Sequence, residues 1–190
     1  MSVMKNLQRD GVVDDLVKFA LIALLVVLPV RIFVAQPFIV HGASMEPTFQ
    51  GNEYLIVDQL TYRFDEPKRG DVIILRFPKD ESVFFIKRII GLPGETVEIV
   101  GTSVVIQRGE GAAALTLDES FIPANRLQEE YGIYTLQEDE YFVLGDNRRE
   151  SSDSRSWGVL KRDEVVGRAL LRLLPLRRID VFPGAFPYQQ

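Results

Sequence analysis

Three stretches of the chain carry side chains able to do chemistry. The first is "HGASMEPTF", His41 to Phe49, which sets Ser44 behind a small residue and ahead of a Met-Glu-Pro turn. A serine hydroxyl becomes a nucleophile only when a base takes its proton. His41, the only histidine, lies three residues from Ser44. On a shared strand an odd offset points two side chains to opposite faces, so His41 reads as a strand-end bystander unless a turn intervenes.

The second stretch offers a different base. Of the six lysines, Lys5, Lys18, Lys68, Lys79 and Lys161 sit among polar or turn residues or beside an apolar run, whereas Lys87 lies inside "VFFIKRIIGL". On a strand, Val83, Phe85, Lys87 and Ile89 share one face, and Phe84, Ile86, Arg88 and Ile90 share the other. Each face is apolar but for one cation, so at least one cation is held against apolar side chains. Burial disfavours the ammonium form, and a neutral amine is a competent general base for a hydroxyl. The alternative is a half-exposed strand end whose cations snorkel or pair with carboxylates.

The third stretch is "GDNRRESSDSRSWG", Gly145 to Gly158, a loop dominated by Asp, Asn, Arg and Ser after a strand. Its spacing fails the calcium-loop pattern of alternating acids before a glycine. Asp–Arg pairs and hydroxyls suit it to locking the geometry of a site. Two short look-alikes carry nothing: Arg69-Gly70-Asp71 reads as the turn before a strand, and Gly42-x-Ser44 lacks the second glycine of a nucleophile elbow.

Elements of two kinds must position these residues. Residues 1–15 are polar, and "FALIALLVVLPV", Phe19 to Val30, has no charge. Extended from residue 16 to 36 it reads as one uncleaved transmembrane helix, with Lys18 and Arg31 near its ends able to snorkel. A buried core helix and a cleaved export signal are the rivals; Ala35 has no small partner two residues away, against the latter. Lys5 and Arg9 favour a cytoplasmic N-terminus. Residues 37–190 would then form an extracytoplasmic domain. It reads as β structure, with strands expected at Glu53–Leu60, Asp71–Phe77, Val83–Ile90, Thr96–Val100, Ser103–Gln107, Glu140–Asp146 and Ala169–Leu176. Residues 108–139 read as a loop or small irregular lobe.

With 190 residues, 46% of them hydrophobic, the chain can bury one domain core, and a net charge of −5 argues against nucleic acid as a partner. The absence of cysteine removes disulfides, thiol nucleophiles and zinc–thiolate sites.

Taken together, the three stretches resemble bacterial type I signal peptidases, a family of membrane-anchored Ser-Lys proteases. "GASMEPT" is similar to the family's serine box, "FIKRIIGLPGETVE" to its lysine box and "GDNRRESSDSRSWG" to its C-terminal box, in the same order. The approach "RIFVAQPFIV" and the strand "RGDVIILRF" are also similar. The resemblance implies a mainly β catalytic domain of coiled antiparallel sheets behind one N-terminal transmembrane helix. It implies Ser44 as nucleophile, Lys87 as general base and Ser151 as the hydroxyl that hydrogen-bonds and orients the lysine. Asp146, Asp153 and Arg155 would hold the loop. Shallow apolar pockets for small residues at −1 and −3 would involve Phe38, Val40, Met45, Phe85 and Ile86, with Ser152 nearby.

One departure concerns the oxyanion hole. Some members carry a serine two residues before the nucleophile, where this chain has Gly42, leaving the hole to backbone groups around Gly42 and Ser44. Glu150, where a neutral residue is frequent, would raise the lysine pKa if close. The implied substrates are exported preproteins, with no cofactor or metal, and membrane lipid and an export translocon as surroundings. The implied location is the bacterial plasma membrane or an internal one. Two rivals remain: a self-cleaving repressor-type Ser-Lys protease, whose DNA-binding domain and internal cleavage site this sequence lacks, and a non-enzymatic membrane-tethered β binding module.

Overall fold

The computed structural model describes residues 2–28, 35–109, 111 and 113–188. The chain opens with helix α1, Ser2–Ile22, which continues through a wider turn, Ala23–Val27. The polar start and the apolar run thus share one helix. From Val12 to Leu28 its large apolar side chains face outward, Phe19 73% and Leu25 68% exposed. No helix among the described residues is long and apolar enough to cross a membrane. Residues 29–34, the remainder of the expected anchor, lie outside the described residues, and Ala35 and Gln36 already belong to the first strand.

The strands follow as β1 (Ala35–Ile39), β2 (Tyr54–Asp58), β3 (Val72–Phe77), β4 (Asp80–Gly91), β5 (Thr96–Gly101) and β6 (Ser103–Gln107). Then come β7 (Leu115–Thr116), β8 (Glu130–Thr135), β9 (Glu140–Leu144), the short helix α2 (Ser154–Trp157), β10 (Leu160–Lys161), β11 (Val165–Leu174) and β12 (Asp180–Val181). Two antiparallel sheets result. One has eight strands in the order β1-β2-β11-β3-β4-β9-β10, with β12 also on β11; the other has four, β7-β6-β5-β8. The mainly β, antiparallel expectation therefore holds.

The expectation of an irregular 108–139 is corrected. Tyr131, Ile133 and the other residues of β8 pair along the full length of β5, and β7 pairs β6. The β8 residues alternate half-buried and exposed, but the pattern is inverted, with Tyr131 and Ile133 on the exposed face and Glu130 and Gly132 on the half-buried one.

β4 is the spine of the site. Its first half is exposed, and from Ile86 onward every residue is buried. The cause is the topology: β3 covers one edge throughout, and β9 joins the other edge from Arg88. Three apolar clusters surround it. One, with Val40, Met45, Leu55, Ile74 and Ile86, underlies the serine turn; a second holds Ile73, Ile89 and Val143; the third fills the space around Val97, Ile106 and Phe142 under the smaller sheet.

Candidate active site

The turn that follows β1 carries Ser44, and the buried half of β4 carries Lys87. The strand order sets β1 and β4 in the same sheet, so residues 43 positions apart meet: Lys87 Nζ donates to Ser44 Oγ at 2.9 Å and to the Ile86 carbonyl at 2.9 Å. Lys87 is 2% exposed, opposite Ile73 on β3 and 5.0 Å from the centre of the Phe85 ring. Removal from water lowers its pKa from the ordinary 10.5 to about 8; the negative charges of Asp153 and Asp146 act in the opposite direction and are outweighed.

Arg88, the next residue, is buried as deeply and meets a different fate. Its guanidinium forks onto Asp146, Nε to Oδ1 at 2.8 Å and Nη2 to Oδ2 at 2.7 Å, and also donates to the carbonyls of Gly70 and Gly184. The sequence required one buried cation in this strand; the structure buries both. Arg88 is held by a carboxylate, while the polar partners of Lys87 among the described residues are a hydroxyl and a carbonyl, with a ring alongside.

The polar loop after β9 fixes the serine turn from the other side. Asn147 donates from its backbone N–H to the Ser44 carbonyl at 3.0 Å and from Nδ2 to the Ala43 carbonyl at 3.1 Å. Thr48 Oγ1 donates to Asp146 Oδ2 at 2.5 Å, tying the far end of the serine turn to the same carboxylate that holds Arg88. Gly145 is required by close approach. A Cβ there would stand 2.4 Å from the Ser44 carbonyl and 2.2 Å from Ser151 Oγ, well inside contact distance. Asp153 receives the Gly145 N–H and both arms of Arg155, which in turn donates to the Arg148 carbonyl. Asp146, Asp153 and Arg155 therefore lie where the sequence reading expected loop-holding contacts.

Asn147, Thr48 and Gly145 were not singled out from sequence. The signal for Asn147 and Gly145 was present in "GDN", a tight polar turn directly after an apolar strand, but nothing in it named Ser44 as its partner. A further tie comes from the stretch read as irregular: Arg126 Nη2 pairs with Glu46 Oε2 at 2.6 Å, and Arg148 forks onto Glu119.

The hydrogen bond from Ser151 to the lysine amine is not formed. Ser151 Oγ is buried without a hydrogen-bond partner among the described residues, where the lysine donates to Ser44 Oγ and the Ile86 carbonyl. Glu150 is exposed and approaches Asn147 Nδ2 at 3.5 Å; the charges acting on Lys87 are those of Asp153 and Asp146.

A cavity of about 300 Å³ opens at Ser44 and Lys87. Phe38, Val40, Phe85 and Ile86 line it, as expected for a substrate pocket, and Phe84 and His41 join them. Phe38 and Phe84 meet edge to face at 5.5 Å across it. Two expected pocket residues are corrected. Met45 is 1% exposed and packs in the apolar cluster rather than lining the cavity, and Ser152 is exposed on the loop and not among the lining residues. His41 lines the rim and makes no hydrogen bond to Ser44 among the described residues. Gly42 has a φ of +81°, a left-handed backbone that glycine adopts without strain, and open space where a side chain would stand.

The arrangement can carry out acyl transfer: a nucleophile, a buried amine within hydrogen-bond reach of it, and an apolar cavity alongside. Comparison with known proteins agrees. Residues 13–174 match the family model described as signal peptidase, peptidase S26. A probable signal peptidase I-2 of Synechocystis sp. is 36% identical over 88% of this chain and 76% of its own length. The signal peptidase I of Leptolyngbya laminosa is 36% identical over 90% of this chain and 85% of its own. A signal peptidase I P of Bacillus subtilis subsp. natto is 32% identical over 92% and 96%. A solved signal peptidase I from Enterococcus faecalis V583 is 32% identical, covers 55% of this chain and 97% of its own, and superposes with a TM-score of 0.44. With the family model spanning most of its length and relatives matching it almost end to end, the chain belongs to the signal peptidase family, peptidase S26.

Proposed function

We propose that this chain is a membrane-anchored serine endopeptidase that removes N-terminal signal peptides from exported preproteins through a Ser44–Lys87 dyad. The observation that carries the reading is the 2.9 Å contact between Ser44 Oγ and a lysine whose pKa burial has lowered to about 8. In its neutral form Lys87 accepts the Ser44 proton as Oγ attacks the scissile carbonyl. The same amine then delivers that proton to the leaving nitrogen, and water, deprotonated in turn by Lys87, hydrolyses the acyl-enzyme. The Ile86 carbonyl accepts one lysine N–H and so aims the lone pair. The developing oxyanion needs donors from the backbone, and the Ser44 N–H, in a turn held by Asn147, is the natural first one. Gly42 leaves open space where a side chain would stand, two residues before Ser44.

The cavity is narrow and walled by phenylalanine and branched aliphatic side chains, which suits small apolar residues at −1 and −3 of a signal peptide. β1 is an edge strand, able to pair with an extended substrate segment. The outward apolar side chains of Val12 to Leu28 support a membrane anchor. The N-terminus would be cytoplasmic and the β domain extracytoplasmic, near the exit of an export translocon.

Cleavage of a preprotein by the full chain in detergent tests the reading. Wild type is expected to release the mature protein, and Ser44→Ala and Lys87→Ala to lose at least about 10³ in kcat. Normal processing by either variant would overturn the dyad.

A further inference from the structure

Arg88 has more partners than its fork onto Asp146. Its guanidinium carbon lies over the Phe121 ring, 4.6 Å from the centre, and its Nη1 donates to the carbonyls of Gly70 and Gly184 at 3.0 and 2.5 Å. Phe121 stands between β7 and β8, and Gly184 belongs to residues 182–188, which follow β12. The two stretches also hold one another. Phe121 packs against Phe186 at 4.6 Å and Tyr188 at 6.3 Å between ring centres, and the buried Tyr188 reaches Glu119 Oε1 at 3.5 Å.

Two glycines allow this close approach. A Cβ on Gly70 would stand 2.1 Å from the Phe186 carbonyl oxygen, and one on Gly184 would stand 2.5 Å from Thr48 Cγ2. Both have a left-handed backbone, with φ of +91° and +72°. Residues 182–188 therefore lie against the turn before β3, the buried arginine of β4 and the serine turn at Thr48 and Phe49.

A guanidinium over a ring face is attracted by the ring's quadrupole, most strongly where water is excluded, and Arg88 is 1% exposed. The ring and the two carbonyls thus confine Arg88 at the position from which it meets Asp146. That carboxylate also receives Thr48, and its charge acts on Lys87. If Arg88 slipped from it, the negative charge would act on the lysine without compensation, and the serine turn would lose a fixed tie. The other charges nearby are engaged: Asp153 with Arg155, Glu46 with Arg126 and Arg148 with Glu119. Across β3 Lys87 faces Ile73, and His41 stands at the cavity rim.

We propose that Phe121 is a positioning residue for cleavage: together with residues 182–188 it clamps Arg88 onto Asp146, and through that pair it keeps the lysine strand and the serine turn in register. The proposal rests on the Ser44–Lys87 reading. Neither Phe121 nor residues 182–188 line the cavity at Ser44, so the clamp acts on kcat and not on substrate binding.

The test is kcat and KM for preprotein cleavage by the full chain in detergent, between about pH 6 and pH 10. Phe121→Leu keeps an apolar side chain at a half-buried position and removes the ring face. It is expected to lower kcat about tenfold, leave KM within about twofold, and move the midpoint of the pH rise above that of wild type by about 0.5. Phe121→Tyr retains the ring and is expected to restore both kcat and midpoint. Gly184→Ala disturbs the other half of the clamp and is expected to raise the midpoint as well. Ile106→Val trims the same apolar cluster without touching Arg88, and its midpoint is expected to equal that of wild type. A wild-type kcat in Phe121→Leu, or a fall in kcat with an unmoved midpoint, would overturn the proposal. So would Phe121→Tyr behaving like Phe121→Leu, an unmoved midpoint in Gly184→Ala, or an equal rise in Ile106→Val. Failure of the dyad reading is seen separately, as cleavage that survives Ser44→Ala or Lys87→Ala.

Discussion

On the proposed dyad, Lys87 sets both the rate of cleavage and the stability of the fold, in opposite senses. With a pKa of about 8, it is neutral in about one molecule in ten at pH 7. A free lysine would be neutral in about one in three thousand, so burial supplies about 300-fold more of the competent base. The assay is kcat/KM for preprotein cleavage between about pH 6 and pH 10. The expected profile rises with unit slope and levels off through a midpoint of about 8. A midpoint near the ordinary 10.5 would refute the claim that burial activates the base.

The lowered pKa has a consequence for folding as well. The unfolded chain keeps the lysine protonated up to the ordinary 10.5, whereas the folded chain releases the proton near 8. Between those values the unfolded state binds more protons, so stability rises with pH across that window. Below about pH 8 the buried ammonium costs roughly 3 kcal/mol, since a tenfold change in proton affinity is worth about 1.4 kcal/mol. In a Ser44→Ala background, Lys87→Met removes that cost and gives up one hydrogen bond, to the Ile86 carbonyl, worth about 1–1.5 kcal/mol. Urea unfolding of the Ser44→Ala background at pH 7 is therefore expected to find Lys87→Met more stable by about 1–2 kcal/mol. The advantage should vanish near pH 10. A Lys87→Met variant that is less stable at pH 7, or a difference independent of pH, would refute the reasoning.

Other perturbations follow from the contacts around the dyad. Asp146→Ala leaves the Arg88 guanidinium buried without its carboxylate and is expected to cost about 3–5 kcal/mol in urea unfolding. Gly145→Ala sets a methyl against the Ser44 carbonyl, so kcat should fall by about 10² or more while circular dichroism still reports the β fold. Asn147→Ala keeps the backbone contact to Ser44 and loses the side-chain one to Ala43; kcat is expected to fall about tenfold with KM nearly unchanged. Ser151→Ala deletes a buried hydroxyl that has no hydrogen-bond partner among the described residues. Stability should be unchanged or slightly raised, and a fall in kcat alone would mean that the hydroxyl meets the lysine during the reaction.

Much of the sheet was legible because its strands are short apolar runs bounded by Gly, Pro and Asn, as in Val72–Phe77 and Ser103–Gln107. β8 escaped because it is short and inverted: Tyr131 and Ile133 face outward, while the inner face has Glu130 and Gly132 with Tyr134 as its one large side chain. Lys87 was legible because a lone cation inside an apolar strand is costly and so calls for an explanation. The contacts of Asn147 with Ala43 and Ser44 were not, since they join residues more than 100 positions apart and no local pattern records them. The same holds for Met45: its place beside the nucleophile suggested a pocket wall, but the turn rotates it into the core beneath.

Two adjacent buried cations in β4 have been given different tasks by their neighbours alone. Arg88 reaches Asp146, and that carboxylate also receives Thr48, so one ion pair ties the lysine strand, the loop after β9 and the serine turn into a single unit. An arginine suits this role because its fork stays charged and directional when buried. Lys87 is denied such a partner: Asp153, the carboxylate whose charge acts on it most, is occupied by Arg155 and the Gly145 N–H. Had either carboxylate been free to approach, the ammonium would have been stabilised and the base lost. The loop thus acts on the dyad twice, by holding the serine turn in place and by keeping its own negative charges engaged elsewhere. Exchanging the two cations, Lys87→Arg with Arg88→Lys, should abolish cleavage even if the fold survives, because a guanidinium at 87 stays protonated throughout the working pH range.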